Sequence, residues 1–434
     1  MEKEITREWA APAMIKKNAL IFGLALAVFL QYCFYWGNLD SFVVEIDSCD
    51  NIFCDFTRYY YPMGKKLLDN PVPVEGFYYS PVIAQVFSLW RFQSKDAAVV
   101  TWGVVQILAV ILLIAVWMHN AQKQNFPLRL LYLFLTLTAM PVVHNFKWGQ
   151  ISIIVVLSIL AALELYEAGW KIPASFLLAF GALFKFYPLV FLFYFLLTGD
   201  LLFLILCGFF FLLLGVALPA LTLGLKPTIS FYFAILDSAG ARFSFAAGKL
   251  PGINSLYFPL VTMRYFGEFN NPGWLLPLQI VGWLILSANI LLIALVAASN
   301  LEHRLRWAFF LMLASTPFFV SSLWAHYLVY LPAFQLFLAF VIERDKHIYW
   351  KYPMLAASVV LSSVFFMQLF DAWRDYAYWG FLTWSNLLLL VLAYAELIPK
   401  LSWREGFGWY HERLRSLTRK GFAHPVRSLW RVRS

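Results

Sequence analysis

The stretch 200–223, DLLFLILCGFFFLLLGVALPALTL, carries a single charge, at its first residue. A run this long and this apolar finds its solvent in hydrocarbon, because a helix needs about 20 apolar residues to cross a bilayer. Eleven further segments share the character: 17–39, 77–93, 97–118, 128–146, 150–168, 172–197, 274–299, 304–322, 324–342, 351–371 and 377–398. The expected fold class is therefore an all-α polytopic membrane protein of about 12 transmembrane helices. Composition agrees. Only 13% of residues are charged, about half of what a water-facing surface requires, and 19% are aromatic, as membrane interfaces favour.

An even number of spans puts both termini on one side. Lys3, Arg7, Lys16 and Lys17 stand before or at the start of the first span, and the tail 400–434 holds nine Lys or Arg against Glu405 and Glu412 alone. Both ends are thus expected in the cytoplasm, with the membrane domain over 1–399 and a basic tail over 400–434. The run Ala19–Phe34 lacks a small-residue cleavage site and reads as a retained span. The net charge of +9 sits largely in that tail, so anionic lipid is its expected partner and nucleic acid is not. Parity places the loops 40–76 and 224–273 outside, and 40–76 carries seven acids against three bases. The same parity turns HNFKWGQ (His144–Gln150) inward, unless the short segment 77–93 is re-entrant, in which case the middle loops flip. Neither a GxxxxGK[ST] phosphate cradle nor a dinucleotide fingerprint is present, which argues against ATP-driven transport.

In CDFTRYYYPMGKKLL (Cys54–Leu68), Phe56, Tyr59, Tyr60, Met63 and Leu67 recur at three- and four-residue steps. That spacing predicts an amphipathic juxtamembrane helix in the first outer loop. Asp55 heads it, and the sequence leaves open whether this carboxylate caps the helix or does chemistry, with Arg58 one turn on. Tyr78 and Tyr79 suit an aromatic belt, and Lys185 falls mid-span, where a lysine is tolerated only facing protein or a polar cavity. In the second outer loop Arg242, Lys249 and Arg264 supply cations, and Asn254 and Ser255 can hydrogen-bond a polar ligand. His326 stands at the outer mouth of the tenth span, as a proton shuttle, a phosphate ligand or an interfacial histidine without a role.

The succession CDFTRYYYPMGKKLL, GFYYSPVIA, KWGQISIIVVLSIL, FKFYPLVFL, GINSL and SLWAHYLVYLPA resembles glycosyltransferase family 87, from about residue 50 to residue 340. The asparagine usual after GQ is replaced here by Ile151-Ser152, and the serine of SPxSW is displaced within STPFFVSSLW. The resemblance implies a GT-C-like bundle, a polyprenyl-phosphate-linked sugar as donor with mannose foremost, and a glycan or glycolipid acceptor on the non-cytoplasmic face. It implies Asp55 as general base, His326 at the donor phosphate or reacting centre, and GQ and lysine–proline elements at Gln150 and at Lys185 with Pro188. The expected site is then Asp55 and His326 for catalysis, Arg58, Lys185, Arg242, Lys249 and Arg264 for the donor phosphate, and Tyr78, Tyr79, Gln150, Asn254, Ser255 and Tyr327 for substrate.

Chemistry is consistent with that assignment. A sugar phosphate already has a good leaving group, so one carboxylate within hydrogen-bond reach of an acceptor hydroxyl is what remains to be supplied. Direct displacement inverts the anomeric centre. No DxD pair stands in the outer loops, and neither metal nor cofactor is expected. Cys49 and Cys54 lie five apart in the first outer loop and form either a disulfide pinning the chain before Asp55 or two thiols. The alternative class is a secondary transporter or flippase, which would concentrate polar groups at the midplane on broken helices.

Overall fold

The computed structural model describes residues 53–120, 126–243, 254–266, 272–343, 350–367, 369–370 and 373–402, and a few positions up to 411. The expected first span 17–39, the cysteines Cys33 and Cys49, Lys249 and nearly all of the basic tail lie outside the described residues. What is described is helical, with no strand beyond one isolated bridge between Ala139 and Ser363.

Among the described residues, five helices are long and apolar enough to cross a membrane: Lys95–Val116, Leu201–Leu223, Leu275–Ala298, Ala325–Ile342 and Phe381–Lys400. They coincide with the expected spans 97–118, 200–223, 274–299, 324–342 and 377–398. Their outward faces are lined with exposed large apolar side chains, such as Val104, Leu108 and Ile111 on the first, Ile205, Phe209 and Leu212 on the second, and Ile280 and Leu284 on the third. Apolar surface this continuous is a lipid-facing surface. The chain is a helical membrane protein.

Several other expected spans are short or broken, and the breaks have local causes. Segment 77–93 yields only Pro81–Ser88, eight residues, or about 12 Å of helix at 1.5 Å per residue against a hydrocarbon core of about 30 Å. Segment 128–146 splits at Ala139, whose ψ of 123° is extended, into Phe126–Thr138 and Met140–Trp148. Segment 172–197 splits at Lys185, extended at φ −144° and ψ 130°, after Lys171–Phe184 and before a 3₁₀ turn, Tyr187–Phe191. Pro141 and Pro188 each sit in the first turn of the new helix, where a missing N–H costs nothing and the ring forbids continuation from before.

One expectation is corrected here. Parity turns His144–Gln150 inward, yet this segment packs against the head of the first-loop helix, with Phe53 N–H donating to the Lys147 carbonyl at 2.8 Å. It therefore lies with Asp55 and His326 on one side of the bundle, the His144 ring being 5.5 Å from that of His326.

The helix expected after Asp55 forms as a π-helical turn, Phe56–Tyr60, running into Tyr61–Lys66. Its repeating face, Phe56, Tyr60, Met63 and Leu67, is fully buried, and buried against protein: Phe56 stacks on Trp102 at 5.1 Å and Tyr60 on Phe87 at 4.7 Å between ring centroids. Gly64 allows this approach, since a Cβ there would lie 2.3 Å from the Phe87 carbonyl oxygen.

Candidate active site

Asp55 does not cap its helix. It has helical dihedrals and its side chain makes no capping hydrogen bond. Its Oδ2 instead accepts from Gln150 Nε2, 95 residues away in sequence. The residue before it, Cys54, is disulfide-bonded, to a partner outside the described residues, and packs with Trp148 and Trp324. Two residues before Asp55, Phe53 takes a left-handed φ of 60°, a conformation a bulky side chain adopts only when its surroundings dictate it.

Gln150 is held so that its amide cannot turn over. Its Oε1 accepts from Tyr60 at 3.0 Å and from Tyr79 at 3.2 Å, and the two phenols lie 2.7 Å apart. Its backbone carbonyl accepts from Gln106 at 2.8 Å and Asn145 at 2.9 Å. With the oxygen edge occupied by hydroxyls, the NH2 edge faces the carboxylate. Burial first, then the neighbouring Tyr79 and the charge of Asp55, push the Tyr60 phenol well above its usual value, so it stays a donor. Gly149 makes the turn that aims Gln150: it closes Met140–Trp148 at φ 64°, and a Cβ on it would lie 2.8 Å from Phe53 Cβ. The GQ pair is thus the place where the first loop meets the membrane bundle.

A cation borders this carboxylate. Lys185, at the break of its helix, donates to Ser152 Oγ at 2.7 Å and lies 3.6 Å from the centroid of the Tyr327 ring. It is buried and near enough to Asp55 to feel its charge. Ser80 donates to the Leu183 carbonyl at 2.7 Å, fixing the broken end of the lysine's helix against Tyr79. His326, buried, stands beside Tyr327 with ring centroids 5.1 Å apart, and His144 lies 5.5 Å on its other side.

The structure therefore gathers Asp55, Gln150, Tyr79, Lys185, Tyr327 and His326. Other expected site residues stand elsewhere. Arg58 is exposed on the first-loop helix, and Tyr78 is half-buried. Arg242 falls in the helix Leu225–Phe243 with its side chain outside the description, and Lys249 lies outside the described residues. Arg264 is buried and spends its guanidinium on backbone: Nη2 donates to the Ser255 carbonyl at 2.7 Å, and Nη1 to those of Ala377 and Tyr378 at 3.0 and 3.3 Å. Burial lowers its pKa to about 10, which leaves it charged at neutral pH. Ser255 donates to the Ser321 carbonyl at 2.8 Å and Asn254 accepts from Trp373 at 3.0 Å, so these two build the wall behind the site. Sequence reasoning misses Tyr60, Ser152, Asn145 and His144 as site residues. Their signal is the density of polar side chains immediately around GQ within apolar sequence.

A half-buried carboxylate, a buried amide and a buried lysine are brought together at the ends of short helices within an otherwise apolar bundle. A sequence profile of glycosyltransferase family 87 matches residues 77–322, more than half of the chain, and the protein belongs to that family. It is a membrane glycosyltransferase, and so takes a sugar donor and an acceptor. Among curated proteins, none matches the chain significantly. Asp55 and His326 fall outside the matched residues, and it is the hydrogen bond to Gln150 and the ring contact with His144 that tie them to it.

Proposed function

We propose that the protein transfers a hexose, mannose foremost, from a polyprenyl-phosphate donor to a glycan or glycolipid acceptor on the non-cytoplasmic face, with Asp55 as general base. The observation that carries this reading is the Asp55–Gln150 contact: a carboxylate oriented by an amide that is itself locked, with a buried lysine alongside. In the reaction the acceptor hydroxyl proton passes to Asp55 as its oxygen attacks the anomeric carbon. The bond from that carbon to the phosphate oxygen breaks, the electron pair leaves with polyprenyl phosphate, and the centre inverts. Lys185 and His326 stand on the side where the leaving charge develops, with Arg58, Arg242 and Lys249 as further cations for the lipid phosphate. Arg264 supports the site by holding the backbone at Ser255. Tyr78, Tyr79 and Tyr327 line the substrate, and no metal takes part.

The wider setting of this reading is a GT-C-like bundle of about 12 helices spanning 1–399, with both termini and the basic tail 400–434 in the cytoplasm of a plasma or inner membrane. The disulfide at Cys54 supports an oxidising compartment on the Asp55 side. The test is reconstitution of the purified protein with polyprenyl-phosphate mannose, glucose or arabinose and glycolipid acceptors. Asp55→Asn is expected to lose about 10²- to 10⁴-fold in turnover while still binding donor. Undiminished turnover by that variant, or no product from any of the donors, overturns the reading.

A further inference from the structure

His144 is fully buried, yet neither of its ring nitrogens has a hydrogen-bond partner among the described residues. The same holds for Trp148 Nε1 and for His326 Nδ1. Buried polar atoms are nearly always paired, and each exception asks for an explanation. These exceptions are adjacent: the His144 ring lies 5.5 Å from that of His326 and 5.9 Å from that of Trp148. Aromatic surface closes around them. Trp373 is 4.9 Å from His144, and Trp324 stands edge-on to Trp148 at 5.5 Å and 88°. Trp324 is the half-buried member of this wall and the one that reaches the surface.

Two kinds of ligand bring enough oxygen to satisfy four nitrogens. An anionic phosphate asks for fixed cations at these nitrogens, and the nearby Lys185 directs its Nζ to Ser152 and the Tyr327 ring rather than to His144 or Trp148. A neutral imidazole offers one donor and one acceptor, which is what a hydroxyl offers in return. Flat indole faces match the apolar C–H faces of a pyranose. We infer that His144, His326 and Trp148, walled by Trp324 and Trp373, form a subsite for one pyranose ring, entered by displacement of Trp324. Cys54, the residue before Asp55, packs on Trp148 and Trp324, so the box borders the head of the first-loop helix. The inference rests on the sugar-transfer reading above and adds to it a recognition element, His144, that none of the matched motifs assigned.

The donor hexose and the acceptor glycan share this chemistry, and kinetics separates them. In His144→Phe, which keeps ring volume and removes both nitrogens, KM is expected to rise about tenfold for whichever substrate places its ring in the box, with the other KM unchanged. His144→Gln, which restores a donor and an acceptor, recovers part of the loss. Thermal stability in His144→Phe is expected to stay level or rise, since a merely structural histidine would lower it when removed. A second readout needs no turnover: tryptophan fluorescence of the full-length protein titrated with hexyl α-mannopyranoside, with hexanol as control. Saturable change in the wild type and in Asp55→Asn, lost in His144→Phe and in Trp148→Phe, supports the subsite, even if no donor gives product and the transfer reading falls. Unchanged KM values and an unchanged titration in either well-folded variant overturn the subsite, whatever becomes of the transfer reading.

Discussion

Gln150 offers the sharpest test of how this site is organised, because it touches the proposed base without reacting. Replacing it by leucine removes the N–H donated to Asp55 Oδ2 while leaving Tyr60 and Tyr79 still 2.7 Å apart and able to bond each other. A hydrogen bond to a charged group contributes about 1.5–3 kcal/mol. If that orientation is realised in the transition state, kcat/KM falls about 10- to 150-fold, while the fold, which retains the tyrosine pair, survives. Gln150→Glu is the more discriminating partner. It keeps the shape and the acceptor for both phenols but sets a second carboxylate against Asp55, and two such groups in contact do not both ionise at neutral pH. Protonated, the introduced carboxyl donates to Asp55 as the amide did; ionised, it repels it. Activity of Gln150→Glu should therefore lie close to wild type at low pH and fall as pH rises, a sign opposite to that of a general base titrating alone. The assay is kcat/KM against pH for wild type and both variants. A loss of less than about threefold in Gln150→Leu, or superimposable pH profiles for Gln150→Glu and wild type, refutes the positioning role.

Other outcomes follow from the same contacts. Gly149→Ala puts a Cβ at φ 64° and 2.8 Å from Phe53 Cβ, so thermal stability and activity should fall together, by about 2 kcal/mol or more in the former; a wild-type melting curve counts against it. Full reduction of the Cys54 disulfide, followed by alkylation mass shift, should lower kcat by up to about 100-fold through misplacement of Asp55; Cys49 is the expected partner, and Cys49→Ser should behave like reduced wild type. Lys351 Nζ lies 2.6 Å from Glu396 Oε1, both side chains being buried, while Lys400 bridges the other oxygen at 2.8 Å. Lys351→Met should cost up to about 3 kcal/mol, and adding Glu396→Leu should restore much of it, because the penalty is the stranded charge; a double variant no more stable than the single excludes that account.

Much of this was legible in the sequence because charge-free runs and helical spacing are local signals. The stretch 200–223 reads as a span and forms one, whereas the periodic face Phe56, Tyr60, Met63 and Leu67, which reads as interfacial, is buried against protein. Ambiguity began where a property depends on the partner. Whether Asp55 caps a helix or serves a site turned on a glutamine 95 residues away. Arg264 counted as one more cation for a ligand, yet its guanidinium meets three backbone carbonyls, which no count of charges reveals. His144 is missed because loop parity turns its segment away from the first loop, and the contact that brings them together, Phe53 on the Lys147 carbonyl, joins residues far apart in sequence.

The breaks in these helices point to why the site is where it is. A continuous helix satisfies its own backbone, so a membrane bundle has no reason to interrupt one except where protein can meet the freed groups. Here the interruption at Ala139 is met by Met140 N–H donating to the Ser362 carbonyl at 2.8 Å, and the one at Lys185 is pinned by Ser80 on the Leu183 carbonyl at 2.7 Å. Each break releases a side chain from lipid-facing rotation into the interior: His144 and Asn145 from the first, Lys185 from the second. The helix begun at the first break ends where the Lys147 carbonyl accepts from Phe53, beside the head of the first-loop helix, and there Gln150 meets Asp55. Restoring either helix, for instance by Pro141→Ala or Pro188→Ala, would make the span continuous yet withdraw these side chains from the carboxylate. The prolines that look like defects in a span are, on this reasoning, what lets a lipid-embedded bundle hold such polar groups in its interior.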